Sequence, residues 1–183
     1  MNKIPTMFER DWDGDRSRVT DVVHPGCEWV LEGEGVATRK YDGTCVMYDG
    51  TSWWARREVK FGKTDPPNYR AVELDETTGK TIGWEPIDQS SFAKFFNEAV
   101  SHTDEWIVGT YELCGPKVQG NPEGYSEHVL VEHASADRIE FSPRTFDGIR
   151  DALTAFDVEG FVFHRDDGRM AKIKKRDFGL RRP

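Results

Sequence analysis

Lys40 is the residue whose type and position most directly suggest chemistry in this chain of 183 residues. It opens the tetrapeptide Lys40-Tyr41-Asp42-Gly43, at a predicted junction between a strand and a turn. A lysine amine becomes a nucleophile where positive charge and partial burial lower its pKa from about 10.4. Gly43 would let the backbone approach a ligand, and Asp42 could hold a hydroxyl or a metal-bound water. By itself, the tetrapeptide is more typical of a hairpin turn.

Two glutamates are predicted to lie beside apolar strand residues. Glu112 falls at the end of an apolar strand, where the alternation of side chains places it on one face with Val108 and Thr110. Glu159 opens a later apolar strand and would share its face with Phe161 and Phe163. Since a buried carboxylate needs a hydroxyl or a cation as a partner, both glutamates are candidates for ligand binding.

Two lysines near the end of the chain are predicted to share one strand face. Lys172 and Lys174 alternate with Ala171 and Ile173, which would face the other side. Two ammonium groups aimed into one region repel by about 1 kcal/mol or more unless an anion lies between them, and a phosphate is the natural anion. The alternative is an exposed lysine face on an edge strand.

These residues together suit an attack on the α-phosphate of a nucleotide. The Lys40 amine would attack in line, while Lys172 and Lys174 would stabilise the developing negative charge. Mg²⁺ held near Glu159 would neutralise the oxygens of the pyrophosphate. The set therefore predicts a nucleotidyl-transfer site.

The elements that must position these residues are predicted to be mostly strands. The strand-like segments are 36–48, in two pieces around Asp42-Gly43, then 52–60, 106–113, 128–134, 158–164 and 169–174. Two helices are predicted, one capped by Ser90 or Ser91 and the other starting near Ser142-Pro143. Many strands and few helices, without regular alternation, predict an α+β fold.

The chain is predicted to be a single domain over residues 1–183, because no linker or internal repeat divides it. Residues 1–35 are polar and are expected to be irregular. Residues 62–89 carry several prolines and glycines, which predict a long inserted loop.

The charge balance argues against a protein that coats duplex nucleic acid. Thirty-three acids and 25 bases give a net charge of −8, whereas such proteins are usually basic. Residues 169–183, however, carry seven bases and one acid. This basic end is either a solvated segment or a contact with phosphate.

The cysteines and the apolar runs predict a cytoplasmic, reducing environment. Three cysteines without a Cys-x-x-Cys motif argue against a disulfide framework or a zinc knuckle. The sequence contains no run of the roughly 18 apolar residues that a membrane span needs, and its first ten residues lack a signal-peptide core. We therefore expect neither a membrane partner nor export.

Four segments in a fixed order resemble motifs I, III, IV and V of the covalent nucleotidyltransferases, the superfamily of RNA ligases, DNA ligases and mRNA capping enzymes. They are Lys40-Tyr41-Asp42-Gly43, Tyr111-Glu112-Leu113, Glu159-Gly160 and Lys172-Ile173-Lys174. Within that superfamily, the chain most resembles the small ATP-dependent RNA ligases, including the vertebrate 5′-to-3′ family and phage-type relatives. The resemblance covers roughly residues 36–180 and implies the ligase adenylation fold, with antiparallel-rich sheets and a few helices.

The resemblance also implies a role for each matching residue. Lys40 would carry AMP as a phosphoramidate, and Lys172 and Lys174 would contact the α-phosphate. Glu112 would bind the ribose, and Glu159 would coordinate Mg²⁺ or Mn²⁺. The further contacts implied for the nucleotide or substrate are Arg39, Asp42, Gly43 and Arg56, with Leu130 and Val131 near the adenine.

The function that the resemblance implies is ATP-dependent joining of RNA ends. Lys40 would be adenylated, AMP would pass to a 5′-phosphate, and a 3′-hydroxyl would close the bond. Since nine residues follow Lys174 in this sequence, we expect no OB-fold domain of the kind that DNA ligases and capping enzymes carry. The alternatives are another polynucleotide adenylyltransferase, a DNA ligase, or a non-catalytic nucleotide or nucleic-acid binding module.

Overall fold

The computed structural model describes residues 2–76, 78–102 and 105–182, and its regular elements are mostly strands. The strands are β1 (Phe8–Arg10), β2 (Val19–Val23), β3 (Val36–Lys40), β4 (Thr44–Tyr48), β5 (Trp53–Val59), β6 (Arg70–Asp75), β7 (Lys80–Pro86), β8 (Gly109–Cys114), β9 (Val129–Glu132), β10 (Gly160–His164) and β11 (Met170–Lys174). The α-helices are α1 (Glu28–Leu31), α2 (Ala93–Val100) and α3 (Phe146–Ala155). In the described part of the chain, every pair of neighbouring named strands is antiparallel. The predicted α+β class with antiparallel sheets and few helices is confirmed.

The strands assemble into sheets with the orders β1-β2, β11-β10-β3 and β6-β7-β5-β4-β8-β9. The two strands that flank Asp42-Gly43 therefore belong to different sheets. β3 pairs with β10, whereas β4 pairs with β5 and β8. The hairpin turn that is typical of this tetrapeptide is thus the wrong interpretation here.

The chain divides into two compact units. One, the three-stranded unit, consists of residues 4–41 and 136–182 and contains the β11-β10-β3 sheet. The other, the six-stranded unit, consists of residues 2–3 and 42–135. Each unit has its own hydrophobic cluster. That the whole chain acts as one domain stays a prediction.

In the three-stranded unit, the core lies under one face of the sheet. Phe161 and Phe163 of β10 and Ile173 of β11 are fully buried there, because strand alternation points all three to the same side. α3 covers them with a stripe that includes Ile149 and Leu153, both fully buried. The opposite face of the sheet is consequently left for polar side chains.

The core of the six-stranded unit is aromatic. Trp53 packs against Phe96 of α2, with ring centroids 5.0 Å apart, and against Trp106 and Tyr111 at 5.3 Å. Such ring pairs contribute roughly 0.5–1.5 kcal/mol each beyond the area that they bury. This cluster holds α2 against the sheet on the side of Tyr111, so that the alternate residues of β8 face away from it.

The prediction of a long inserted loop over residues 62–89 is wrong. The segment contains the hairpin of β6 and β7, and β7 is a central strand between β6 and β5. Its glycines and prolines delimit the strands: Gly79, with φ +66°, lies just before β7 and Pro86 ends it. Position 83, inside β7, requires glycine because a Cβ there would lie 2.5 Å from the ring of Tyr69.

The prediction that residues 1–35 are irregular is also wrong. β1 and β2 form an antiparallel pair, and the short α1 follows. Met7 and Phe8 enter the core of the three-stranded unit. These strands are three and five residues long, which gives too few alternations between polar and apolar residues to identify a strand from the sequence.

Both predicted helices are present, each beginning a few residues later than expected. The Ser90 hydroxyl accepts the Phe92 N–H at 3.3 Å, and α2 follows. α3 is capped by Thr145, whose hydroxyl accepts the Gly148 N–H at 3.2 Å. No helix in the described residues is both long and apolar enough to cross a membrane.

Asp49 fixes the turn that joins β4 to β5. Its carboxylate accepts the backbone N–H groups of Ser52 and Thr51, the Thr51 hydroxyl, and the indole N–H of Trp54 at 2.9 Å. These donors hold the pKa of the Asp49 carboxyl well below its ordinary value, the Ser52 N–H most strongly. The charged carboxylate therefore stabilises the folded turn.

We expect Asp49→Ala to lower the melting temperature at pH 7. Since the folded-state pKa is depressed, the stabilisation is present above the unfolded-state pKa and is lost as the pH falls through the folded-state value. Thermal melts from pH 7 to pH 2 should show the gap from wild type closing with acid. Asp21→Ala, at an exposed site in β2, is the control; a gap that does not depend on pH would contradict this account.

Candidate active site

The three-stranded sheet places two of the predicted lysines on either side of one glycine. Gly160 of β10 pairs with Lys40 of β3 on one side and with Lys174 of β11 on the other. Residues paired across antiparallel strands share a face, so both lysines lie on the face opposite the phenylalanines of the core. β3 and β11 are thereby positioned by the strand that lies between them.

The Glu159 carboxylate joins the two lysines. Lys40 Nζ donates to its Oε2 at 2.5 Å, and Lys174 Nζ contacts its Oε1 at 2.6 Å. The exposed fractions of the three side chains are 20% for Lys40, 17% for Lys174 and 13% for Glu159, so the cluster is largely withdrawn from water. Burial alone would raise the pKa of the Glu159 carboxyl, but the two ammonium groups outweigh it and the pKa is lowered.

The predicted direction of the Glu159 side chain is wrong. Alternation placed it on the face of Phe161 and Phe163, yet its carboxylate contacts the lysines of the opposite face. β10 begins only at Gly160, so Glu159 lies just ahead of the regular strand and alternation does not fix its direction. No side chain at Gly160 occupies the space between the paired lysines.

Lys172 lies where the pattern of β11 predicts. It pairs with Val162, two positions along from the pair of Gly160 and Lys174, and therefore shares their face. The free edge of β11 is covered: the Lys172 N–H donates to Pro5 at 2.9 Å, and its carbonyl accepts the Met7 N–H at 2.8 Å. The alternative prediction of an exposed lysine face on an edge strand is therefore not supported, because backbone hydrogen bonds cover this edge of β11.

Sequence reasoning missed two polar residues on the same face. The Thr38 hydroxyl lies 3.2 Å from the Val162 carbonyl and 3.0 Å from His164 Nε2. Thr38 alternates with Lys40, and His164 with Val162. Alternation within β3 and β10 was the signal that could have found both.

Arg39 lies on the opposite face of the three-stranded sheet from Lys40, because it pairs with Phe161 of β10. Its guanidinium lies 5.0 Å from the ring centroid of Tyr41, a cation–π distance. The Tyr41 hydroxyl donates to the Asp137 carboxylate at 3.0 Å. The backbone N–H of Arg39 donates to the backbone carbonyl of Asp137 at 2.8 Å. These contacts fix the backbone on both sides of Lys40.

The remaining predicted residues belong to the six-stranded unit. Glu112 is 7% exposed, and its Oε1 accepts the Gly43 N–H at 3.0 Å. A Cβ on Gly43 would lie 2.2 Å from the Leu113 carbonyl oxygen, so this glycine lets the chain pass close to β8. The Asp42 N–H donates to Glu123 at 2.9 Å.

The two residues predicted near the adenine lie on opposite faces of β9. Val131 pairs with Glu112 and shares its face. Leu130 pairs with Leu113 and packs against the core of the six-stranded unit. The predicted contact with the base is therefore better suited to Val131.

Arg56 is held against an aromatic ring. Its guanidinium lies 5.0 Å from the centroid of the Trp84 ring, and burial lowers its pKa. An arginine that is fixed in this way loses little entropy when it binds an anion, which fits the predicted contact with substrate.

Two known proteins are similar to this chain. RNA ligase 1 of Rattus norvegicus is 24% identical in an alignment that covers 79% of this chain and 67% of that protein. RNA ligase 1 of Mus musculus is 23% identical, with the same coverage. A scan of protein-family models finds no match. The similarity supports a distant relationship between this chain and those RNA ligases.

We expect Gly160→Ala to destabilise the protein by about 1–3 kcal/mol, the usual cost of overpacking. The new Cβ would lie 2.1 Å from the Ile173 carbonyl oxygen and 2.9 Å from the Lys174 Cα, which are backbone atoms that cannot swing away. Urea denaturation measures the change. Gly109→Ala is the matched control, since the nearest atom to its Cβ is 4.0 Å away; equal effects of the two substitutions would refute the close strand packing.

Proposed function

We propose that this protein is an ATP-dependent RNA ligase that forms a covalent lysyl-AMP at Lys40. The observation that carries the proposal is the cluster in which Glu159 bridges Lys40 and Lys174 on the polar face of the three-stranded sheet. The similarity to the two proteins named RNA ligase 1 supports it, because it extends over most of the chain.

In the proposed first step, Lys40 Nζ attacks the α-phosphorus of ATP. The P–N bond forms, and the bond between the α-phosphorus and the bridging oxygen breaks, so that its electron pair leaves with pyrophosphate. The Lys40 ammonium loses two protons in all to become the N–H of the phosphoramidate. The Glu159 carboxylate at 2.5 Å is positioned to accept the first, and solvent water takes the second. An oxygen of the RNA 5′-phosphate then attacks the phosphorus of AMP, and the P–N bond breaks as the Lys40 nitrogen regains a proton from water. Finally the 3′-hydroxyl loses its proton and attacks the 5′-phosphorus of the RNA, and AMP leaves with the electron pair of the broken P–O bond.

The charges of the cluster favour an anionic substrate. Lys40, Lys174 and Glu159 together carry one net positive charge, and Lys172 on the same face adds another. A phosphate can take over the contacts that Glu159 makes with the ammonium groups. We infer that Lys172 and Lys174 bind the α-phosphate, where they stabilise the charge that develops in the transition state.

Glu159 on its own is a poor site for a divalent cation. Mg²⁺ prefers several oxygen ligands, whereas this single carboxylate is already shared by two ammonium groups that repel a cation. Binding of Mg²⁺ or Mn²⁺ at Glu159 stays a prediction. The roles of Glu112 towards the ribose, and of Arg39, Asp42, Gly43, Arg56 and Val131 towards the nucleotide or RNA, are likewise predictions.

Incubation with ATP labelled on its α-phosphate should transfer the label to the protein. Lys40→Arg should abolish the label, because arginine keeps the positive charge beside Glu159 but offers no nucleophilic amine. Lys94→Arg, in the exposed face of α2, is the matched control and should label normally. Electrophoresis and mass spectrometry of the labelled peptide identify the acceptor lysine.

The second half of this experiment adds polynucleotide to the labelled protein. Transfer of the label to 5′-phosphorylated RNA but not to DNA of the same sequence is the expected result. Transfer to DNA would favour a DNA ligase, and label that moves to neither would indicate another adenylyltransferase. A protein that binds ATP without any covalent label would be a binding module, and the proposal would be wrong.

Lys174→Ala should slow formation of the labelled protein by about 100-fold, because one of the groups that stabilise the transition state is lost. Lys174→Arg should restore part of the rate, since it returns the positive charge. Rapid-quench measurement of the single-turnover rate at saturating ATP separates this effect from weaker binding. A rate for Lys174→Ala within a factor of three of the wild-type rate would exclude the role.

A further inference from the structure

Three potential metal ligands converge on one face of the six-stranded sheet. Cys45 Sγ, a carboxylate oxygen of Glu112 and an imidazole nitrogen of His133 all lie within 4.8 Å of one another. Cys45 of β4 and Glu112 of β8 are direct partners across the sheet, and His133 follows the end of β9. The adjacent strands β4, β8 and β9 therefore bring the three side chains together on one face of the sheet.

Neighbouring groups already hold two of these ligands in orientation. The Thr110 hydroxyl lies 3.0 Å from His133 Nδ1, and the Gly43 N–H donates to Glu112 Oε1 at 3.0 Å. The other two atoms, His133 Nε2 and Glu112 Oε2, face each other at 3.0 Å. Metal-binding histidines and carboxylates are commonly oriented by hydrogen bonds of this kind to the atom that does not bind the metal.

We propose that Cys45, Glu112 and His133 bind a transition-metal ion, with Zn²⁺ as the best match. Zn²⁺ accepts thiolate, imidazole and carboxylate together, with bond lengths of about 2.0–2.3 Å. Tetrahedral bonds of that length place the ligand atoms about 3.3–3.8 Å apart. The three atoms here lie within 4.8 Å of one another. Three protein ligands leave a fourth position open to water or to an exogenous ligand.

Burial and the softness of the ligand atoms favour a transition metal at this site. Glu112 is buried, so its carboxylate gains from a cationic partner. The softness of the thiolate and the imidazole selects against Mg²⁺, which prefers oxygen ligands.

This assignment gives Glu112 a role that differs from the predicted contact with a ribose. It does not rest on the proposed ligase activity, since no residue of the Lys40 cluster takes part. The competing account is a metal-free network in which neutral His133 accepts from Thr110 and donates to Glu112. Direct measurement of metal binding distinguishes the two.

The test uses the full chain, stripped of metal with a chelator, and calorimetric titration with ZnCl₂. One Zn²⁺ per chain is expected, and Mg²⁺ at the same concentration should not displace it. Co²⁺ in place of Zn²⁺ should give the near-ultraviolet charge-transfer absorption of a thiolate ligand. Lys40→Arg should bind Zn²⁺ as the wild type does, so failure of the ligase proposal leaves this result unaffected.

Cys45→Ser should remove the cobalt–thiolate absorption, and Cys45→Ser and His133→Gln should each weaken Zn²⁺ binding at least 100-fold. His102→Gln, an exposed histidine that pairs with Glu127, is the matched control and should bind normally. Circular dichroism establishes that each variant is folded, and the two variants test the site independently. Absence of Zn²⁺ binding to the wild type, or binding that both variants retain, would overturn the proposal.

Discussion

The proposed active site depends on one carboxylate that is shared by two ammonium groups. Lys40 and Lys174 lie on the same sheet face with only Gly160 between them, and without Glu159 two largely buried like charges would repel. Burial disfavours the charged form of the Glu159 carboxylate, but the two close ion pairs with the ammonium groups stabilise that form. In the proposed reaction, Lys40 is therefore held in place as an ion pair until an anion replaces its partner.

That arrangement rests on how closely three strands approach each other. Gly160 has no side chain, and the carbonyl of Ile173 occupies the position that a Cβ would need. The fully buried Phe161 and Phe163 anchor the same strand on its other side. Packing of the core and geometry of the polar face are thus coupled through β10, since alternate residues of one strand serve both.

In the six-stranded unit, too, alternate residues of one strand serve the core and a polar face, but the polar side chains are different. Tyr111 and Leu113 of β8 enter its core, and Glu112 between them points to the opposite face. There it contacts His133 and the Gly43 N–H, and Cys45 lies across the sheet. A buried carboxylate with an imidazole and a thiol beside it can hold a cation, whereas Glu159 between two lysines is suited to exchange with an anion.

The sequence by itself determined the α+β class, the strand that carries Lys172 and Lys174 on one face, and the order of the polar segments, because alternation and turn residues are local signals. It did not reveal the β6–β7 hairpin, the direction of Glu159 or the grouping of Cys45 with His133. Glu159 and Lys40 are 119 residues apart in the sequence, and they come into contact only when β3 and β10 pair. Tertiary structure decided these features, since the pairing of distant strands depends on the packing of whole faces rather than on any short pattern.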